Sequence, residues 1–133
     1  MLRTGSLIAC GFVLGVLTTA IGFASALAIQ VPDAAVASPD HYKVEFENEY
    51  VKIVRAHYGP HEKAAMHSHP SPGGVVVHLT NEHAQRVLLN GTTSAIVFGA
   101  GAAHWSAPDI HQEENLSDQP FENIRIDIKR CAP

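Results

Sequence analysis

Three patterns of hydrophobic and polar positions divide the chain. From Leu7 to Ile29 the sequence LIACGFVLGVLTTAIGFASALAI carries no charge. Residues Gln30 to Asp40, QVPDAAVASPD, show no period and read as a flexible tether. From His41 onward, short runs of alternating character are broken by turn residues. YKVEF places Val44 and Phe46 on one face, and YVKIVRAHY is a second strand ended by Gly59 and Pro60. VVVHLT, Val75 to Thr80, is the next strand. QRVLLNGTTSAIVF predicts a hairpin with Asn90-Gly91 as a two-residue type I′ turn. AAHWSAP stops at Pro108, HQEENL follows, and SDQP turns into the last strand, FENIRIDIK. There Ile124, Ile126 and Ile128 face one way, and Arg125, Asp127 and Lys129 the other. No segment after residue 40 has a helical period. About eight or nine short, evenly spaced strands predict an all-β antiparallel barrel or sandwich.

The first segment has the marks of an export signal. Arg3 is the only charge before Asp33, and ASA (Ala24 to Ala26) and ALA (Ala26 to Ala28) offer small-residue cleavage sites. The apolar run is also long enough to span a bilayer, so an uncleaved hydrophobic helix acting as a membrane anchor is the alternative. Both readings put the remainder outside the cytoplasm: periplasmic or secreted, or anchored and facing the periplasm. The expected organisation is a signal peptide or anchor over 1–28, a tether over 29–40 and one barrel domain over 41–130. A length of 133 residues suits one such domain and not two. Cleavage near Ala28 would leave eight basic and thirteen acidic residues, a charge of −5. Cys131 would be the only cysteine left, and it cannot form an internal disulfide. The lack of any basic stretch argues against a nucleic-acid partner.

Nine histidines turn attention to metal or acid–base chemistry. Residues i and i+2 of a strand point the same way, so His67 and His69 present their rings to one side, as a grip on one metal ion requires. Two polar residues on a solvated strand end would look the same. No G-x-S-x-G or phosphate-binding loop is present, and FGAGAA opens no helix.

HSH at His67 to His69, followed by Gly101, Pro108, His111 and Asn115, resembles the two motifs of the cupin superfamily, above all its small single-domain bacterial members. The resemblance spans Tyr42 to Lys129. It implies a small antiparallel β-barrel of jelly-roll type whose interior holds a divalent metal. His67, His69 and His111 fall on the histidine ligand positions, and Asn115 on a structural asparagine. The Glu of the first motif would stand where this chain has Gly73 and Gly74. Three imidazoles remain a competent donor set for Fe²⁺ or Zn²⁺, and for Ni²⁺ or Cu²⁺. The resemblance also implies a small-molecule ligand or substrate, and pairing into homodimers through sheet edges.

The strand period turns His78 inward if Gly74 faces inward, as a further ligand, a substrate contact or a buried hydrogen-bonded residue. Of Glu113 and Glu114, one could orient a ligating histidine, or both could be solvated. His104 and Trp105 are neighbours, so at most one faces the cavity, with Trp105 expected in the barrel wall. His41, His57, His61 and His83 are expected at the surface. Metal-dependent chemistry on a small metabolite, non-catalytic binding and a metal-free structural barrel all remain open on these residues.

Overall fold

The computed structural model describes residues 30–129. The hydrophobic segment over 1–28 and Cys131 lie outside the described residues. Among the described residues no helix is long and apolar enough to cross a membrane.

The described chain is all-β apart from one short helix, α1 (Ala34–Ala37). Nine strands follow: β1 (Tyr42–Glu47), β2 (Val51–Tyr58), β3 (His67–Ser68), β4 (Gly74–His78), β5 (Glu82–Leu88), β6 (Thr93–Phe98), β7 (Ala103–Ser106), β8 (Ile110–Asn115) and β9 (Phe121–Ile128). They form a five-stranded sheet in the order β1-β2-β9-β4-β7 and a four-stranded sheet in the order β3-β8-β5-β6. Every strand pairing in both sheets is antiparallel.

Register places the interior in layers. Tyr58 pairs with Phe121 at one end, where their rings stack at 4.7 Å. The next row is Tyr42, Ala56, Asn123 and His78; then come Val54, Arg125, Val76 and His104. The last row is Lys52, Asp127, Gly74 and Ser106. The apolar core gathers around the Tyr58 end, with Val54, Ala56, Ala84 and Ile96, and full burial of a ring such as Phe121 contributes about 2–3 kcal/mol. The remaining interior is polar.

The last strand alternates as the sequence predicts, and its polar set is the one inside. Asn123, Arg125 and Asp127 are buried, whereas Ile124, Ile126 and Ile128 are half-buried on the outer face. There Ile126 continues a row of Phe46, Ile53, Val75 and Trp105 across all five strands. Val44 and Phe46 are both exposed, because a bulge interrupts β1 between them and only Tyr42 of that strand is buried.

Two local expectations need correction. The segment over 29–40 is not a free tether in its described part. Asp33 caps α1 by accepting from the Ala35 N–H and receives Lys52 Nζ at 2.6 Å. Ser68 donates its N–H to Pro32 O and its hydroxyl to Val31 O, so the segment lies pinned beside β3. Its composition lacks a period because these contacts run through backbone groups and one capping carboxylate. The β5–β6 hairpin also differs. Gly91 N–H donates to Leu88 O and Leu88 N–H to Thr92 O, enclosing three residues. Only Gly91 has positive φ (84°), whereas a type I′ turn needs it at Asn90 too.

Candidate metal centre

β3 and β8 run side by side, and their register sets His67 directly across from His111. His69 lies two residues further along and donates its N–H to Asp109 O, which keeps the chain extended and aims its ring to the side of His67. The three rings converge. Their centroids are 4.6 Å apart for His67–His111, and 4.9 Å for both His67–His69 and His69–His111. One ring nitrogen from each lies within 4.8 Å of the others, and all three residues are buried.

Hydrogen bonds fix which nitrogens face inward. His67 Nδ1–H donates to Ala65 O at 2.8 Å, leaving Nε2 to the centre, 3.2 Å from His69 Nε2. His111 Nδ1–H donates to Asp109 Oδ1 at 2.8 Å, and its Nε2 stands 3.7 Å from Glu113 Oε2. A ligating histidine is held in this way, by a carbonyl or carboxylate on its far nitrogen. Burial lowers the pKa of His67 to about 4. It also drives His69 far below the usual range, with the Arg125 charge adding to the effect. Both rings are therefore neutral donors at pH 7. For His111 burial acts downward, but Asp109 and Glu113 outweigh it and the pKa rises. Asp109 is held low against its burial by the His111 hydrogen bond and the nearby Arg86 charge.

Gly73 and Gly74 supply no carboxylate, and Gly74 has no room for one: a Cβ there would meet Ile126 O at 2.4 Å. Glu113 brings a carboxylate from β8 instead. It is buried beside His111, while Glu114 points outward and pairs with Lys63. Tyr42, absent from the sequence reading, sets its hydroxyl 3.3 Å from His67 Nε2 and 2.5 Å from Tyr58 OH.

His78 does face inward, but it does not join the three histidines. It forms a second group, with Nδ1 donating to Glu82 Oε2 at 2.8 Å and Nε2 3.3 Å from His104 Nδ1. Asn123 donates to the same Glu82 oxygen, and Phe98 stacks on both imidazoles. Burial, reinforced by the Glu113 charge, pushes Glu82 up to about 7. Of the neighbours His104 and Trp105, His104 is the one that faces the cavity, and Trp105, expected in the barrel wall, is 54% exposed on the outer face. Of the histidines expected at the surface, His57, His61 and His83 are exposed, whereas His41 packs edge-on against Tyr58. Asn115 is structural: its side chain donates to Gly59 O and Gln119 O and accepts from Ser117.

Both groups border one cavity of about 40 Å³, through His69 and His111 on one side and His78, Glu82 and His104 on the other, together with Arg86, Arg125 and Ser106. Glu82, Tyr42 and Arg125 escaped sequence reasoning. The alternation of β9 separates two faces of sharply different character but does not say which is buried.

Similarity to solved structures agrees with this architecture. The chain resembles a cupin domain from Bordetella pertussis Tohama I at 24% identity, with a TM-score of 0.62, over 77% of this chain and 100% of that one. A protein with a double-stranded β-helix domain from Klebsiella pneumoniae is similar at 22% identity and a TM-score of 0.53, over 64% and 72% of the two chains. A cupin superfamily protein from Desulfitobacterium hafniense matches at 12% identity and a TM-score of 0.50, over 67% and 76%. No family model matches the chain, and no curated protein does. The chain has the cupin fold, with a cluster of three buried histidines inside its barrel.

Proposed function

We propose that His67, His69 and His111 hold a divalent metal ion, iron or zinc in first place and nickel or copper next, and that the protein uses it on a small metabolite outside the cytoplasm. The observation that carries this reading is the convergence of three buried imidazoles whose outer nitrogens are tied to Ala65 O and Asp109. The donor set fits such an ion: three imidazole nitrogens suit borderline metals, with open positions for water or ligand. The bound metal would supply Lewis-acid or redox activation of what it holds. The chain's own residues supply the rest. Glu113 sits against His111 as a carboxylate able to take or return a proton. The Glu82–His78 pair offers a second proton-carrying group on the same cavity. These groups favour catalysis over binding alone. Export through residues 1–28 completes the proposal, in keeping with the uncharged apolar run behind Arg3.

Elemental analysis of the full chain purified without chelators tests the centre: one equivalent of metal, lost in His111→Ala and His67→Ala, is expected. Oxygen uptake or hydrolysis with candidate thiols and diketones then separates the readings. Turnover that needs His111 supports an enzyme, and tight ligand binding without turnover supports a binding module. Absence of metal from the native protein overturns both.

A further inference from the structure

We infer that Arg125 and Arg86 form an anion subsite beside the three histidines, and that the ligand of this cavity is a small carboxylate. Arg125 comes from β9 in the five-stranded sheet and is 6% exposed. Its Nε donates to Asp127 Oδ1 and its Nη1 to the Ser106 hydroxyl at 2.8 Å, while Nη2 finds no acceptor among the described residues. Arg86 comes from β5 in the opposite sheet. Its Nη1 donates to Asp109 Oδ2 at 3.2 Å, and its buried Nε likewise has no acceptor among the described residues.

A buried donor left unmatched is costly, and more so on a charged group, so a native chain keeps one only for a reason. Here two arginines from opposite sheets, each with an unmatched guanidinium nitrogen, line one cavity together with His69 and His111. Arg125 is held through Nε and Nη1, and Arg86 through Nη1. The chemistry narrows the ligand. Asp127 and Asp109 already balance the two guanidinium charges, so the ligand is read by hydrogen-bond geometry rather than by net charge, which separates a planar carboxylate from a tetrahedral phosphate. The two unmatched nitrogens, one on each guanidinium, suit the two oxygens of one planar carboxylate. This subsite deepens the proposed metal reading and rests on it for the ligand's far end: a second oxygen, from a hydroxyl, keto or second carboxyl group, would face the histidines.

Calorimetric titration of the zinc-loaded full chain with oxalate tests the subsite, with neutral oxamide and inorganic phosphate as comparators. Oxalate is expected to bind more tightly than either comparator. Arg125→Gln is expected to weaken oxalate at least tenfold with zinc stoichiometry unchanged, and Arg86→Gln to weaken it less. Acetate titrated into the metal-free chain should shift the Arg125 and Arg86 Nε–H resonances, so the subsite is read even where zinc does not bind. A chain that takes no zinc yet shows those acetate shifts would sink the metal reading and leave the subsite standing. Should Arg125→Gln fail to fold, the Arg125→Gln/Asp127→Asn pair removes both charges together and carries the same expectation. Undiminished oxalate affinity in a folded variant, phosphate binding more tightly than oxalate, or unmoved arginine resonances would each overturn the subsite.

Discussion

Single residues decide what the cavity can hold, and Gly74 does so by having no side chain. Its place in β4 brings the backbone of Ile126 so close that a Cβ would overlap the carbonyl oxygen. Gly74→Ala should therefore destabilise the chain by roughly 2–3 kcal/mol, read as a lower urea midpoint at unchanged slope. Gly74→Glu, which restores a first-motif carboxylate on paper, should lose stability without gaining metal affinity. Asp109 works through another residue. It fixes the His111 ring by accepting from Nδ1, and Arg86 holds it in turn. Asp109→Asn is expected to weaken zinc by about 10–100-fold in chelator competition while leaving the fold intact. An unchanged affinity would mean that packing alone orients His111.

At the scale of strands and turns, Asn115 closes the β8–β9 connection. Its amide donates to two carbonyls, and its oxygen accepts from the Ser117 N–H and hydroxyl. Asn115→Ala removes four hydrogen bonds from a fully buried side chain and should cost about 2–3 kcal/mol in chemical denaturation. The same scale shows why some of this protein was legible in its sequence. His67 and His69 could be paired from period two alone, because that relation is local, whereas His111 was placed only by the resemblance of Gly101, Pro108, His111 and Asn115 to a known motif. The inward turn of Arg125 and Asp127 was not legible in that way. Alternation names two faces, and which of them is inside depends on β2 and β4 packing on either side of β9. Glu82 was hidden for a related reason: its value to the site comes from His78 and Asn123, on strands of the other sheet. The described part of the tether was misread because backbone pairing with β3 leaves no mark on side-chain pattern.

The whole molecule carries a polar interior, and its stability should therefore depend on pH in two opposing ways. Glu82 has a folded pKa of about 7, above its ordinary value of 4.5, because burial and the Glu113 charge penalise its anion. Between those values the folded chain binds more protons than the unfolded one, so this contribution is full at low pH and is lost as pH rises towards 7. Its size is roughly 3 kcal/mol. His67 acts in the opposite sense. With a folded pKa near 4 against an ordinary 6.5, it leaves the unfolded chain holding more protons between those values, so stability rises with pH across that window. His69, lowered further by burial, adds to the same trend. In the chelator-treated chain the two effects offset each other through the mildly acidic range. Glu82→Gln removes one of them. The variant should match the parent near pH 4.5 and exceed it progressively, by up to about 3 kcal/mol above pH 7, in urea denaturation at a series of pH values. A difference that stays constant across the series would place the Glu82 carboxyl in a solvated setting, and the acid–base role assigned to the Glu82–His78 pair would fall with it.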